Sequence, residues 1–129
     1  MKLINLKFEE IKREFEIIKN EKEIHSILLY GSYAKKQQHK KSDIDICIVT
    51  PGLTTPKEFS NLLGKIWRKV DGMRYDIRLF EELPLYIKAS IIKNYKIIFS
   101  KNLEELYYYF YKVRKIWDDQ SINWIDKKI

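Results

Sequence analysis

Two short groups of polar residues stand at the ends of apolar runs, and their types suit the binding of a phosphate and a divalent cation. One apolar run ends in Gly31-Ser32; ten residues follow, and Asp43 and Asp45 then open a second apolar run. Carboxylates are ligands for hard cations, and a serine next to a glycine bend can hold a phosphate. These residues are therefore the first candidates for chemistry in the chain.

The second run, residues 42–49, is rich in β-branched residues and predicts a strand. Side chains alternate along a strand, so Asp43 and Asp45 share one face and the isoleucines the other. Carboxylates two residues apart lie roughly 7 Å from one another and repel by about 2–3 kcal/mol at an effective dielectric constant near 20. A bound cation turns this repulsion into attraction, and magnesium, which takes one or two carboxylates plus substrate phosphates, fits such a pair.

The Gly31-Ser32 end of the first apolar run is predicted to bind phosphate, next to the cation held by the carboxylates. Gly31 permits a sharp bend or a close ligand approach after the strand at residues 27–30. Ser32 suits the N-cap of a short helical piece, whose backbone N–H groups and serine hydroxyl would cradle a phosphate. The two halves together predict a site for a nucleoside triphosphate and its magnesium.

This combination resembles the signature of the DNA polymerase β-type nucleotidyltransferases. The short chain points to the minimal nucleotidyltransferases (MNT), which pair with HEPN proteins in prokaryotic toxin–antitoxin modules. The motif covers fifteen residues, and Lys35-Lys36 stands where the family often has Arg-Gly. Lys35 keeps a positive charge for phosphate. The resemblance implies a nucleotide-binding set made of Gly31, Ser32, Lys35 and Ser42.

The family also has a third acidic residue, on a later strand, which completes the metal cluster and deprotonates the attacking hydroxyl. Asp76, in the strand candidate at residues 73–80, matches it by position and context. The competing interpretation is that Asp76 only pairs with Arg74 or Arg78, although an exposed ion pair stabilises little. Asp71 is another candidate, but it falls in a turn.

By this resemblance Asp43, Asp45 and Asp76 are the catalytic and metal-binding residues, with two Mg²⁺ ions and ATP as the substrate. The reaction implied is transfer of AMP to a tyrosine of a cognate HEPN toxin, in a hetero-oligomer, with the chain as the antitoxin. Two alternatives stay open, because fold does not fix the acceptor. One is a non-catalytic antitoxin that blocks its partner by contact; the other is a nucleotidyltransferase acting on RNA or a small molecule.

Length and composition limit the number of domains and the cellular locations that fit this sequence. The chain has 129 residues, of which 45% are hydrophobic, and this predicts one folded domain. Its single cysteine, Cys47, cannot form an internal disulfide, and no apolar run approaches a membrane span, so we expect a cytoplasmic protein. The net charge of +7 fits attraction to phosphate or simply a lysine-rich surface. We expect no direct nucleic-acid binding.

Periodicity and turn residues place these candidates in an α+β fold with two layers, in which helices pack on a small mixed sheet of about four strands. Helices are predicted at residues 3–21, from Pro56 to Asp71-Gly72 behind a threonine cap, after Pro84, and from Leu103. A fourth strand, at residues 95–100, is expected at an edge of the sheet. Residues 1–117 would form the nucleotidyltransferase domain, and residues 118–129 a C-terminal tail that could dock a partner.

Overall fold

The computed structural model describes the backbone of residues 8–31 and 44–128, with side chains described as far as residue 120. The helices are α1 (Phe8–Glu14), α2 (Pro56–Trp67), α3 (Leu85–Lys93) and α4 (Leu103–Lys128). The strands are β1 (Ser26–Tyr30), β2 (Ile44–Val49), β3 (Tyr75–Leu79) and β4 (Tyr95–Ser100), and a short 3₁₀ helix (Phe80–Glu82) follows β3.

The described strands form one mixed sheet in the order β3-β2-β1-β4. β1 lies antiparallel to both β2 and β4, whereas β2 and β3 run parallel and are joined through α2. A parallel pair needs such a crossover, because a tight turn cannot bring the chain back to the start of the next strand. The α+β class, the four strands and the edge position of β4 are as the sequence predicts.

Buried side chains cover both faces of the sheet, as the alternation along the strands requires. One face, with Ile44, Ile46 and Ile48 of β2, packs against α2 and against the N-terminal segment through Ile11, Phe15 and Ile18. The opposite face is covered by α3 and α4, and its buried members are Leu28, Cys47, Val49, Phe80, Ile91, Leu106, Phe110 and Val113. The second face carries the odd-numbered residues of β2, which include Asp45.

Two predicted helix boundaries were wrong. The first helix ends at Glu14 in the structure. The chain then continues in turns whose hydrogen bonds join residues three apart, such as the bond from the Ile18 N–H to the Phe15 carbonyl. Phe15 and Ile18 are still buried, because such turns preserve nearly the same spacing of apolar residues as a helix.

The second error concerns the end of α2, which stops at Trp67 rather than at Asp71-Gly72. The turn that follows folds back, so that a Cβ on Gly72 would lie 2.8 Å from the Trp67 ring. The start of α2 is as predicted, because Thr55 caps it in a capping box with Glu58 and Pro56 is its first residue.

The last helix begins at Leu103, as predicted, and continues without a break past residue 117 to Lys128. Residues 118–128 are therefore a continuation of α4, and their proposed role in docking a partner stays a prediction. Across the part of the chain that the structure describes, no helix combines the length and the apolar character needed to cross a membrane.

Candidate active site

Asp45 and Asp76 lie side by side on neighbouring strands. β2 and β3 are parallel, and their register pairs Asp45 directly with Asp76. Directly paired residues of adjacent strands project from the same face of a sheet. Both residues are partly exposed, whereas the flanking Ile44, Tyr75 and Ile77 are buried on the other face. The structure therefore brings two of the three predicted acids together at one accessible edge.

Gly31 lies against the same carboxylate. It directly follows β1, and its φ of +76° is in the left-handed region that glycine adopts freely. A Cβ built on Gly31 would collide with the Asp45 carboxylate. The glycine bend and the second acid of the predicted motif are thus in direct contact, and only a residue without a side chain fits between them.

The guanidinium of Arg78 contacts one of the two acids, Asp76. Arg78 donates a hydrogen bond from Nη2 to Oδ2 of Asp76 at 3.4 Å, and Asp76 raises the pKa of the guanidinium. The contact is long, and the side chains are 54% and 35% exposed, respectively, so solvent screens the attraction. The neighbouring Arg74 pairs instead with Glu14, at 2.8 Å. Of the two arginine partners considered from the sequence, Arg78 is therefore the one that contacts Asp76.

Tyr30 borders the acidic pair on its other side. The register of β1 and β2 pairs Tyr30 with Asp45, which places the phenol on the face that carries the acids. Burial raises the pKa of Tyr30 first, and the negative charge of Asp45 raises it further. The phenol therefore stays neutral beside the carboxylates.

Cys47 lies beneath the site on the same face of β2 and is completely buried. Burial raises the pKa of its thiol well above the usual range, with a further contribution from Glu81. A buried thiol that stays protonated is a poor nucleophile and a poor ligand. Cys47 therefore belongs to the core, as its place in a predicted apolar strand indicates.

The remaining predicted site residues, Asp43, Ser32, Lys35 and Ser42, lie outside the described residues. Within the described part of the chain, no three acidic, histidine or cysteine side chains form a cluster able to hold a metal. The competitor Asp71 lies in an exposed turn, where its Oδ1 accepts a hydrogen bond from the Met73 N–H.

The donor set of the described residues suits magnesium. Asp45 and Asp76 offer carboxylate oxygens from one face, and both reach solvent. Magnesium usually keeps several waters and takes only one or two carboxylates from the protein, so an open acidic pair at a sheet edge fits it. Phosphate oxygens of a substrate would complete such a site.

Sequence reasoning had not assigned Tyr30 or Arg78 to the site. The signal for Tyr30 was present, because the residue directly before the Gly31 bend lies opposite the opening of β2 if the two strands pair antiparallel. The choice between Arg74 and Arg78 had no local signal. It depends on Glu14, which lies 60 residues away from Arg74 in the chain.

Comparison with known proteins places the chain in a family. The family described as "Polymerase beta, Nucleotidyltransferase" matches residues 9–104, which is most of the chain. The chain therefore belongs to the polymerase β-type nucleotidyltransferase family, and the class of reaction is transfer from a nucleotide substrate.

Two relatives from Methanocaldococcus jannaschii are both named "Putative protein adenylyltransferase". One is 54% identical over 98 residues, which span 76% of this chain and 73% of the relative. The other is 32% identical over 94 residues, which span 70% of this chain and 93% of the relative. The match thus covers most of each protein.

Solved structures with the same fold include a chain of a toxin–antitoxin crystal structure with AMP-PNP. It has a TM-score of 0.67 at 18% identity and covers 92% of both chains. Another match is to a chain from a structure of the tri-AMPylated Shewanella oneidensis HEPN toxin in complex with an MNT antitoxin. Its TM-score is 0.61 at 17% identity, and it covers 88% of this chain and 90% of that one. At these identities the likeness shows a shared fold.

Proposed function

We propose that this chain is a magnesium-dependent protein adenylyltransferase that transfers AMP from ATP to a tyrosine of a HEPN-family toxin, and so acts as its antitoxin. The observation that carries the proposal is the paired placement of Asp45 and Asp76 beside the Gly31 bend. The names of the two relatives support the reaction, and the toxin–antitoxin structures of the same fold support the partner.

The nucleotide-binding half of the site would be formed by Gly31, Ser32, Lys35 and Ser42. Gly31 lets the backbone bend closely against the Asp45 carboxylate, so the phosphate-binding residues that follow it in the sequence would begin beside this acid. Ser32, Ser42 and Lys35 are assigned from the sequence motif and would donate hydrogen bonds to the phosphate oxygens. This arrangement holds the triphosphate next to the acidic pair.

Asp43, Asp45 and Asp76 would hold Mg²⁺, two ions by analogy with the family. When bound, magnesium neutralises the phosphate charge that otherwise repels an incoming hydroxyl. The tyrosine oxygen of the partner forms a bond to the α-phosphorus, while the bond from that phosphorus to the bridging oxygen breaks and pyrophosphate leaves. Asp76 accepts the proton of the tyrosine hydroxyl on a carboxylate oxygen. Positioning and charge neutralisation account for most of the catalysis of such a transfer.

The test uses ATP labelled on the α-phosphate, Mg²⁺ and a HEPN-family toxin from the same genome. We expect label on the toxin with the native chain, and its loss in Asp45→Asn and Asp76→Asn. Asp71→Asn is the matched control, because this residue is an acid of the same type in an exposed turn before β3. It should label the toxin at the native rate.

Two results would overturn the proposal. Undiminished labelling by Asp45→Asn and Asp76→Asn would show that these acids do not carry the reaction. Full neutralisation of the toxin by both variants, with no label on it, would show that the chain acts by binding alone. Replacing the modified toxin tyrosine with phenylalanine checks that the acceptor is a phenolic hydroxyl.

A further inference from the structure

The strand that carries Asp76 lies at an edge of the sheet. Among the described strands, β3 is the last in the order β3-β2-β1-β4 and pairs only with β2. An edge strand presents backbone N–H and C=O groups to which another extended chain can bind. An acceptor bound along this edge would therefore lie next to Asp76, the residue proposed to take its proton.

The hydrogen bonds between β2 and β3 show which residues of β3 face the open side. The Ile44 N–H donates to the Arg74 carbonyl at 3.1 Å. Backbone groups point alternately to the two sides of a strand, so those of Asp76 and Arg78 also face β2, whereas those of Ile77 face outward. No hydrogen bond from another described residue reaches the Ile77 groups from this side. Ile77 thus offers one donor and one acceptor directly beside Asp76.

We propose that the open edge of β3 is the docking site for the acceptor protein, which adds an extended segment to the sheet with its reactive tyrosine opposite Asp76. This inference rests on the proposed function, since it assumes that Asp76 serves the transfer. Neighbouring strands lie about 4.8 Å apart and directly paired residues share a face, so the tyrosine would project beside Asp76 on the face that carries both acids. Main-chain hydrogen bonds to Ile77 would hold the segment, as in other cases of strand addition.

Exposed side chains that suit a protein interface lie next to this edge. Met73, two residues before β3 begins, is 89% exposed. Trp67, the last residue of α2, is 42% exposed although its ring packs against Gly72. Arg78 of β3 is exposed as well. Methionine, tryptophan and arginine are all enriched at protein interfaces, so the side chains around the edge favour a protein partner.

The other edge of the sheet differs from β3. The pairing of β4 with β1 shifts register between Ile27 and Leu28, whereas the pairing of β3 with β2 is continuous. A bulge disrupts the ladder and bends an edge strand, which is one of the ways in which proteins discourage strand addition. β4 is also three strands away from Asp76. Its outer edge therefore serves as an internal control.

The experiment measures hydrogen exchange of single amides by nuclear magnetic resonance. The isotope-labelled chain is compared alone and saturated with a HEPN-family toxin from the same genome, without ATP. In the free chain the Ile77 amide should exchange quickly and the Asp76 and Arg78 amides slowly, because only the latter two bond to β2. In the complex, exchange at Ile77 should slow about tenfold or more. The outward amides of β4 should keep their rates.

A pair of variants tests the surface beside the edge. Met73→Glu should weaken toxin binding about fivefold or more, because it places a charge where the docked segment passes. Leu103→Glu is the matched control, since Leu103 is another exposed apolar residue, 46% exposed, in the helix that follows β4. It should bind the toxin as the native chain does. Both replaced side chains are exposed, so the fold should stay intact, and a thermal melt of each variant verifies this.

The outcomes separate this inference from the proposed function. If the toxin did not accept AMP from the native chain, the proposed function would be wrong, and the inference with it. If the toxin accepted AMP but the Ile77 amide exchanged equally fast in the complex, or protection appeared on β4 instead, only the docking at β3 would be refuted. Native toxin affinity in Met73→Glu would also refute it, since a segment bound along β3 passes the residue that precedes the strand.

Discussion

A side chain at Gly31 would conflict with the structure in two ways. Alanine at this position would have to adopt a left-handed backbone conformation, and its Cβ would collide with the Asp45 carboxylate. The backbone strain alone costs about 1–2 kcal/mol. The collision must move either Asp45 or the bend, so we expect Gly31→Ala to lose AMP transfer almost completely while remaining folded.

The matched control for this change is Gly52→Ala. A Cβ at Gly52 has no heavy atom within 4 Å, so this variant should keep native activity and stability. The measurements are AMP transfer to the toxin and the midpoint of thermal unfolding. An active Gly31→Ala protein would show that the contact between Gly31 and Asp45 is dispensable.

Arg78 is expected to compete with a divalent cation for Asp76, because its guanidinium contacts the same carboxylate. Arg78→Gln removes this competitor and should tighten Mn²⁺ binding several-fold, measured by electron paramagnetic resonance in the absence of nucleotide. Arg74→Gln removes an equal charge at the same sequence distance from Asp76, but from a residue paired with Glu14. Equal effects of the two variants would mean that general electrostatics, rather than the contact, governs the affinity.

The alternation along β2 and β3 was enough to predict that Asp45 and Asp76 face away from the buried isoleucines. Their direct pairing was not predictable in the same way, because the register of two parallel strands is set by the packing of the crossover helix between them. The contact of Arg78 with Asp76 was likewise not predictable from the sequence, because Arg74 lies equally near to Asp76 along the chain. Residue types therefore indicated the chemistry, and tertiary packing selected the partners.

At the scale of elements, the short 3₁₀ helix after β3 ties the sheet to α4 through one side chain. Glu81 accepts hydrogen bonds from the backbone N–H of Thr50 at 2.8 Å and from its hydroxyl at 2.7 Å. Its other oxygen accepts a hydrogen bond from the Tyr109 hydroxyl at 2.9 Å. Thr50 is completely buried, so without Glu81 its two donors lose these partners.

Glu81→Ala should therefore lower the free energy of unfolding by about 2–4 kcal/mol, the range expected when buried donors lose their acceptor. The neighbouring Glu82 is exposed, and Glu82→Ala is the matched control with little expected effect. Chemical denaturation followed by circular dichroism measures both. Equal stability of the two variants would contradict the bridging role of Glu81.

Element boundaries show where sequence patterns were informative and where they were not. The cap at Thr55 and the start of α4 at Leu103 were predictable, because capping residues and turn residues act locally. The end of α2 was not, since the turn after it is fixed by the packing of Gly72 on the Trp67 ring. The apolar stripe of the N-terminal segment indicated burial correctly but could not distinguish a helix from successive turns.

At the scale of the whole molecule, three tyrosines link the core to the carboxylates around it. Tyr75 donates a hydrogen bond to Glu14 at 2.6 Å, Tyr109 donates one to Glu81, and Tyr30 lies in register with Asp45. Burial is the first cause of the raised pKa of all three phenols, and a neighbouring carboxylate adds to it in each case. Each phenol is therefore held in its neutral form by the fold.

This arrangement predicts that the folded state loses stability at alkaline pH. The folded pKa of each phenol lies above the ordinary value of about 10, so the unfolded chain releases its proton first as the pH rises. The stabilisation is complete below about pH 10 and is lost as the pH rises above it, with a slope of up to about 1.4 kcal/mol per pH unit for each phenol. Denaturant unfolding between pH 8 and pH 12 measures this slope.

Tyr109→Phe should reduce the slope by about the contribution of one phenol. Tyr86→Phe, at a residue that is 61% exposed, should leave the slope unchanged. An equal slope in the native chain and Tyr109→Phe would show that the Tyr109 proton is not linked to folding.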